Sequence, residues 1–223
     1  MKAIRLREGK ERSLQRHHPW VFEGSIAKGR ADPGETVRVE AADGRFLAWG
    51  AYSPSSMIRV RAWSFDEAER IDVAFFARRV QRAVALRARL PVDSDAVRLI
   101  HGEADGLPGV VADRFADHLV VQFSSAGAWR WRDEIVDALV ETTGIAQVFE
   151  RSDAEVLALE GLESRVGPVR GEEPAGPITI EAAARPVNTP WFRARGAQAP
   201  PQGGESGRMC GQWISGASVA TVR

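Results

Sequence analysis

Arg12 and Arg16 stand four residues apart, with Lys10 just ahead and His17, His18 and Trp20 just behind. A helix would stack the two arginines on one face. Guanidinium and ammonium groups neutralise phosphates, and imidazole or indole rings stack on bases, so this set could grip an anionic polymer with planar bases. A solvated helix face ending in a core tryptophan would use the same residue types. A second set, Arg59, Arg61 and Trp63, alternates along MIRVRAW and would share one strand face, opposite Ile58, Val60 and Ala62. Two guanidiniums beside an indole can hold phosphates and stack a base. The wet side of an edge strand, with Trp63 packed at the sheet end, would look alike.

Other constellations offer less. The loop HGEADGLPG has three glycines, but it carries Glu103 and Asp105 and feeds a strand, whereas a phosphate cradle needs helix N-terminal amides and preferably a lysine. His101 alone does not complete a metal cluster. GxSxG, HExxH, CxxC and GxGxxG are all absent, and no nucleophile has a matching base, so no catalytic, cofactor-binding or metal-ligating residue is assigned. The one cysteine, Cys210, cannot form an intrachain disulfide, which fits a reducing compartment. Formal net charge is +0, yet residues 1–30 hold eight Lys or Arg against three Glu. Any polyanion surface is therefore local and N-terminal. The opening MKAIRLREGKER lacks an apolar signal core, and no apolar run could span a bilayer, so a cytoplasmic location without membrane association is expected.

The elements that must position these residues read as follows. Ile4 to Leu6 is a strand, then a short helix that Pro19 ends, since proline cannot continue a helix interior. Val37 and Val39 alternate with Arg38 and Glu40, Asp43-Gly44 marks a hairpin, and Phe46 to Tyr52 returns. With MIRVRAW this makes a compact, mostly β barrel. IDVAFFARRVQRAVALRARL reads as a helix capped by Asp72, its buried stripe Val73, Phe76, Val80 and Val84. Its arginines fit a solvated face. Strands follow over Arg98–Ile100, Val110–Phe115 and His118–Phe123, then a helix from Ala128 to Glu141 and a strand over Val148–Glu150. The fold class expected is α+β, with mixed packing in the second region.

Six segments in order, GKERSLQRHHPWVFEGSI, GAYSPSSMIRVRAWSFD, IDVAFFARR, RLIHGEADGLPGVVADRF, LVVQFSSAG and FERSD, resemble the large-subunit ribosomal RNA cytosine-5 methyltransferases with an N-terminal PUA domain. The likeness runs from about Gly9 to Asp153 and continues more weakly to about Ile180. It implies a PUA-like RNA-binding barrel over 1–66 and an α+β connecting domain over 67–181. In that family a methyltransferase domain using S-adenosylmethionine follows, with a cysteine thiolate attacking the pyrimidine ring. Here residues 182–223 depart from the family pattern in EAAARPVNTPWFRARGAQAPPQGGESGRMCGQWISGASVATVR, rich in Gly, Ala and Pro and without periodicity. The expectation is a disordered tail, a chain truncated before its catalytic domain, no cofactor bound within it, and no activity alone. Cys210 lies outside any family cysteine motif.

The expected function is ribosomal RNA binding, as the N-terminal portion of a methyltransferase acting in rRNA processing. A free-standing RNA-binding or ribosome-associated adaptor is the alternative, and a small-molecule enzyme built on HGEADGLPG a third. The residues expected to touch RNA are Lys10, Arg12, Arg16, His17 and Trp20, with Arg59 and Arg61 second.

Overall fold

The computed structural model describes residues 2–92, 94–152, 154–172, 176, 178–180 and 220–222. The first domain runs β1 (Ala3–Leu6), α1 (Arg12–Gln15), β2 (Trp20–Phe22), a 3-10 turn over Glu23–Ser25, β3 (Ile26–Lys28), β4 (Thr36–Glu40), β5 (Phe46–Tyr52) and β6 (Ile58–Ser64). One six-stranded sheet results, in the order β2-β6-β5-β4-β1-β3. Its outermost strands are neighbours in sequence. Phe22 and Ile26 are four residues apart and can be separated by at most about 14 Å. Six strands laid flat would put the outer two about 24 Å apart. The sheet must therefore curl until its edges approach, and the barrel expected from the sequence is realised as this rolled sheet. Alternate residues fill it: Ile4 and Leu6, Val37 and Val39, Val60 and Ala62, closed by Leu14 and Val21. The β4–β5 hairpin turns at Gly44, whose φ of 90° suits glycine.

The second domain contains α2 (Val73–Arg87), β7 (Ala96–His101), a 3-10 turn over Gly102–Asp105, β8 (Val110–Phe115), β9 (His118–Phe123), α3 (Ala126–Arg130), α4 (Arg132–Thr143), β10 (Gln147–Ser152), α5 (Ala154–Glu160) and β11 (Arg165–Arg170). Its sheet is ordered β11-β10-β9-β8-β7. Neighbours are antiparallel except β9 and β10, which α3 and α4 link as a parallel pair. Phe75, Phe76, Val80 and Ala83 of α2 and Ile135, Val136 and Leu139 of α4 cover it. The mixed α+β class expected from the sequence holds.

Several expectations are corrected. Asp72 does cap α2, accepting from the Phe75 amide at 3.0 Å. Val73, however, is 57% exposed, and Phe75 takes its place in the buried stripe because a ring removes more apolar surface from water. The helix expected over Ala128–Glu141 starts at Ala126 behind its Ser125 cap and breaks at Trp131. Trp63, assigned to the outer face with Arg59 and Arg61, is buried at 3% exposure. It meets Phe76 edge-on at 5.2 Å. Together with Ala51 it belongs to the core of the second domain, so the two domains share one apolar seam. Residues 181–219, including Cys210, lie outside the described residues. Within the tail expected to be irregular, β13 (Ala220–Val222) pairs antiparallel with β12 (Ile178–Ile180).

Candidate nucleic-acid interface

The basic lip stands on a single helical turn. Leu14 is the buried residue of α1 and anchors it to the barrel, which turns Arg12 and Arg16 outward. Pro19 is not what ends this helix, although the sequence pointed to it. The His17 amide bonds to the Leu14 carbonyl at 2.8 Å and the His18 amide to the Ser13 carbonyl at 2.9 Å. That pair of bonds is the Schellman closure, with His17 in the left-handed position, at φ 60°, where glycine is usual. A side chain there costs about 1–2 kcal/mol. Its ring lies nearly parallel on Phe65, at 4.6 Å and 21°.

Lys10, Arg12 and Arg16 are exposed, and none joins an ion pair or side-chain hydrogen bond among the described residues. Most other arginines are occupied. Arg5 and Arg38 hold Glu40, Arg87 holds Asp105, Arg98 holds Asp113, and Arg170 holds Asp137. Beyond the lip, the strand β2 at one end of the sheet order carries a ladder of rings. His18 meets Trp20 edge-on at 5.5 Å, and Trp20 meets Phe22 at 6.4 Å. Phe22 is 46% exposed and the adjacent Met57 70%. Trp20 is half-buried, and its indole N–H donates to Glu103 Oε1 at 2.8 Å, which ties the ladder to the second domain.

Arg59 and Arg61 stand apart from this lip. Arg59 pairs with Glu23 and donates to the Pro54 carbonyl. Arg61 has only 12% of its side chain exposed and meets Glu160 Oε1 at 2.8 Å. Glu160 Oε2 accepts from the Ser53 hydroxyl at 2.7 Å and from the Ala126 amide at 3.1 Å. Burial pushes the Glu160 carboxyl up, but Arg61 and the hydrogen bonds outweigh it, so the group sits below its ordinary value. The second-rank RNA residues are thus turned to structural ion pairs, Arg61 at the joint between domains. The sequence held one signal for Glu160: it lies three residues after Leu157 on an amphipathic helix, on the buried side. The loop carboxylates also have partners, Asp105 on Arg87 and Glu103 on Trp20.

The fold is that of a small β module joined to an α+β domain. Residues 4–65 match the family model of the PUA-like domain. Over 183 residues the chain is 48% identical to "Ribosomal RNA large subunit methyltransferase I" of Shewanella frigidimarina, covering 80% of this chain and 46% of the relative. The Escherichia coli K12 protein of the same name is 47% identical over 180 residues, covering 79% of this chain and 46% of the relative. The chain spans less than half the length of these homologues. A solved chain from Streptococcus mutans, described as a SAM-dependent methyltransferase, shares the fold at TM-score 0.66 and 18% identity, over 81% of this chain and 46% of its own.

The description of the Streptococcus mutans chain names S-adenosylmethionine dependence for that protein, and the described residues here do not form a site of that type at the β9–α3 turn. A cofactor of this kind sits where a parallel strand opens into a helix with free amides. In the second sheet such junctions run from β10 to α5, where residue 153 lies outside the described residues, and from β9 to α3. There the Ala126 amide already holds Glu160, a Cβ on Gly109 would stand 2.3 Å from Ser125 Oγ, and one on Gly127 would stand 2.3 Å from Ala51 Cβ. The β9–α3 junction is packed solid, and no described residue is assigned to the cofactor. No group of three or more His, Cys, Asp or Glu among the described residues is arranged to hold a metal ion. No described helix is long and apolar enough to cross a membrane.

Proposed function

We propose that the chain binds ribosomal RNA through Lys10, Arg12, Arg16 and His17, and that it serves the RNA-recognition part of a cytosine-5 methyltransferase in rRNA processing. The observation that carries this is the set of three exposed cations with no acidic partner among the described residues, beside the ring ladder of β2. Unpaired cations exchange condensed counterions for protein contacts, and rings accept splayed bases. The names of the homologues support the RNA as substrate class, and the PUA-like domain supports its location. The described residues contribute recognition, and the strand-to-helix junction from β9 to α3 is filled. Trp20 acts as a strut behind the lip, and Arg59 and Arg61 contribute to the fold.

The test is anisotropy titration of a 23S rRNA fragment across salt concentrations. Each phosphate contact lowers the slope of log K against log salt by about 0.7–0.9. The double variant Arg12→Ala, Arg16→Ala should flatten the slope by about 1.5 and leave the melting temperature unchanged. An identical slope for wild type and variant would place RNA elsewhere on the surface. Catalysis is checked separately: methyl transfer from S-adenosylmethionine to the fragment by this chain alone would overturn the assignment to recognition.

A further inference from the structure

Between the two domains lies a cleft of 360 Å³ that the lip leaves unexplained. It is lined by His17, Trp63, Ser64 and Phe65 from the first domain and by Arg79 and Glu103 from the second. The volume is at the small end of the range of about 300–1,000 Å³ for small-ligand pockets, which suits a single base with its sugar. Three features mark it as built. His17 keeps a ring at a left-handed position that glycine would hold without strain, and that ring is stacked on Phe65. Gly106, at φ 69°, leaves space for the Arg79 guanidinium: a Cβ there would stand 2.9 Å from Arg79 Nη1. Arg79 is held over the Phe75 ring at 4.9 Å and lies 3.3 Å from Glu69, which also takes the Ser64 hydroxyl at 2.6 Å. Glu103 uses one oxygen for Trp20, and its other oxygen has no partner among the described residues.

We propose that this cleft receives a single unpaired RNA base, stacked on His17 and read at its edge by Glu103 and Arg79. The carboxylate accepts from the base N–H groups, and the guanidinium donates to a ring nitrogen or carbonyl oxygen. Edge contacts of this kind require an unstacked nucleotide, so the ligand is a loop, bulge or single strand rather than a duplex. The site rests on the RNA-binding role proposed above and adds base capture to phosphate grip.

The experiment uses the full chain and a heptaribonucleotide with one central 2-aminopurine, followed both by 5′-fluorescein anisotropy and by 2-aminopurine emission, which falls when the base stacks. Wild type should quench the emission on binding. His17→Gly keeps the left-handed turn, and it should weaken binding about fivefold or more and abolish quenching at saturation. Arg79→Gln, read the same way, covers the case in which His17→Gly does not fold. Arg12→Ala, Arg16→Ala should weaken binding yet still quench once saturated. Binding without quenching, or wild-type behaviour of folded His17→Gly and Arg79→Gln, would overturn the cleft and leave the lip intact. No binding by wild type at low salt would overturn the lip and the cleft together.

Discussion

Trp20 shows why residue type alone did not settle a role. Its ring belongs to the ladder that faces outward from β2, while its N–H reaches the Glu103 carboxylate in the other domain. A hydrogen bond to a charged group contributes about 1.5–3 kcal/mol. Trp20→Phe keeps the ring and removes the donor, so urea unfolding should show a loss of that order while affinity for the rRNA fragment changes less than twofold. A large loss of affinity with unchanged stability would make the indole a direct base platform instead of a strut. The exposure of Lys10, Arg12 and Arg16 was legible from sequence, because they needed only a short amphipathic turn to face outward. The ion pairs of Arg59 and Arg61 were not legible, because alternation tells which face a side chain leaves by and not what waits there. Glu160, the acceptor that Arg61 meets, lies about a hundred residues away.

At the level of elements, local patterning found β1, β4 to β10 and the capped start of α2, since hairpin turns and an N-cap are written in adjacent residues, and it passed over the three-residue strands β2 and β3. It missed β11, whose RVGPVR carries a Gly and a Pro that lower strand propensity. It also missed the break between α3 and α4, which is imposed from outside. α3 packs on β5, with Gly127 facing Ala51 and Trp63, and the chain must bend at Trp131 before α4 can cover the sheet. A Cβ on Gly127 would stand 2.3 Å from Ala51 Cβ and 2.9 Å from Trp63 Cζ2. Gly127 has no left-handed backbone that would need glycine, so a substitution acts through space alone. Gly127→Ala should destabilise the protein by about 1–3 kcal/mol, from overpacking of a closed seam, read as a lower urea midpoint. Gly144→Ala, where nothing lies within 4 Å, probes only the left-handed helix end and should cost less, about 1 kcal/mol. Equal losses at the two sites would mean that the seam yields freely.

For the whole molecule, the decisive contact is the carboxylate between the two domains. Glu160 is reached by Arg61 and Ser53 from the barrel and by the Ala126 amide at the start of α3, with 2% of its side chain exposed. Its pKa in the folded protein lies below the ordinary value, because Arg61 and the hydrogen-bond donors outweigh burial. A depressed carboxyl contributes stability that is present above its unfolded pKa, near 4.5, and lost as pH falls through the lower folded value. The domain junction should therefore loosen on acidification. Glu160→Gln cannot ionise, so its unfolding free energy should lie below wild type at pH 7, and the gap should narrow as pH falls below the ordinary carboxyl range and the wild-type group takes up its proton. Arg61→Ala should be worse at pH 7, by about 3–5 kcal/mol, since it strands a buried charge, and it should recover partly on acidification. Urea titrations of the three proteins at pH 7, 5 and 3 give the comparison directly. A gap between wild type and Glu160→Gln that stays constant with pH would show that the joint is held by packing of Ala51, Trp63 and Gly127 rather than by charge. The cleft at His17 would then be held open by that apolar seam.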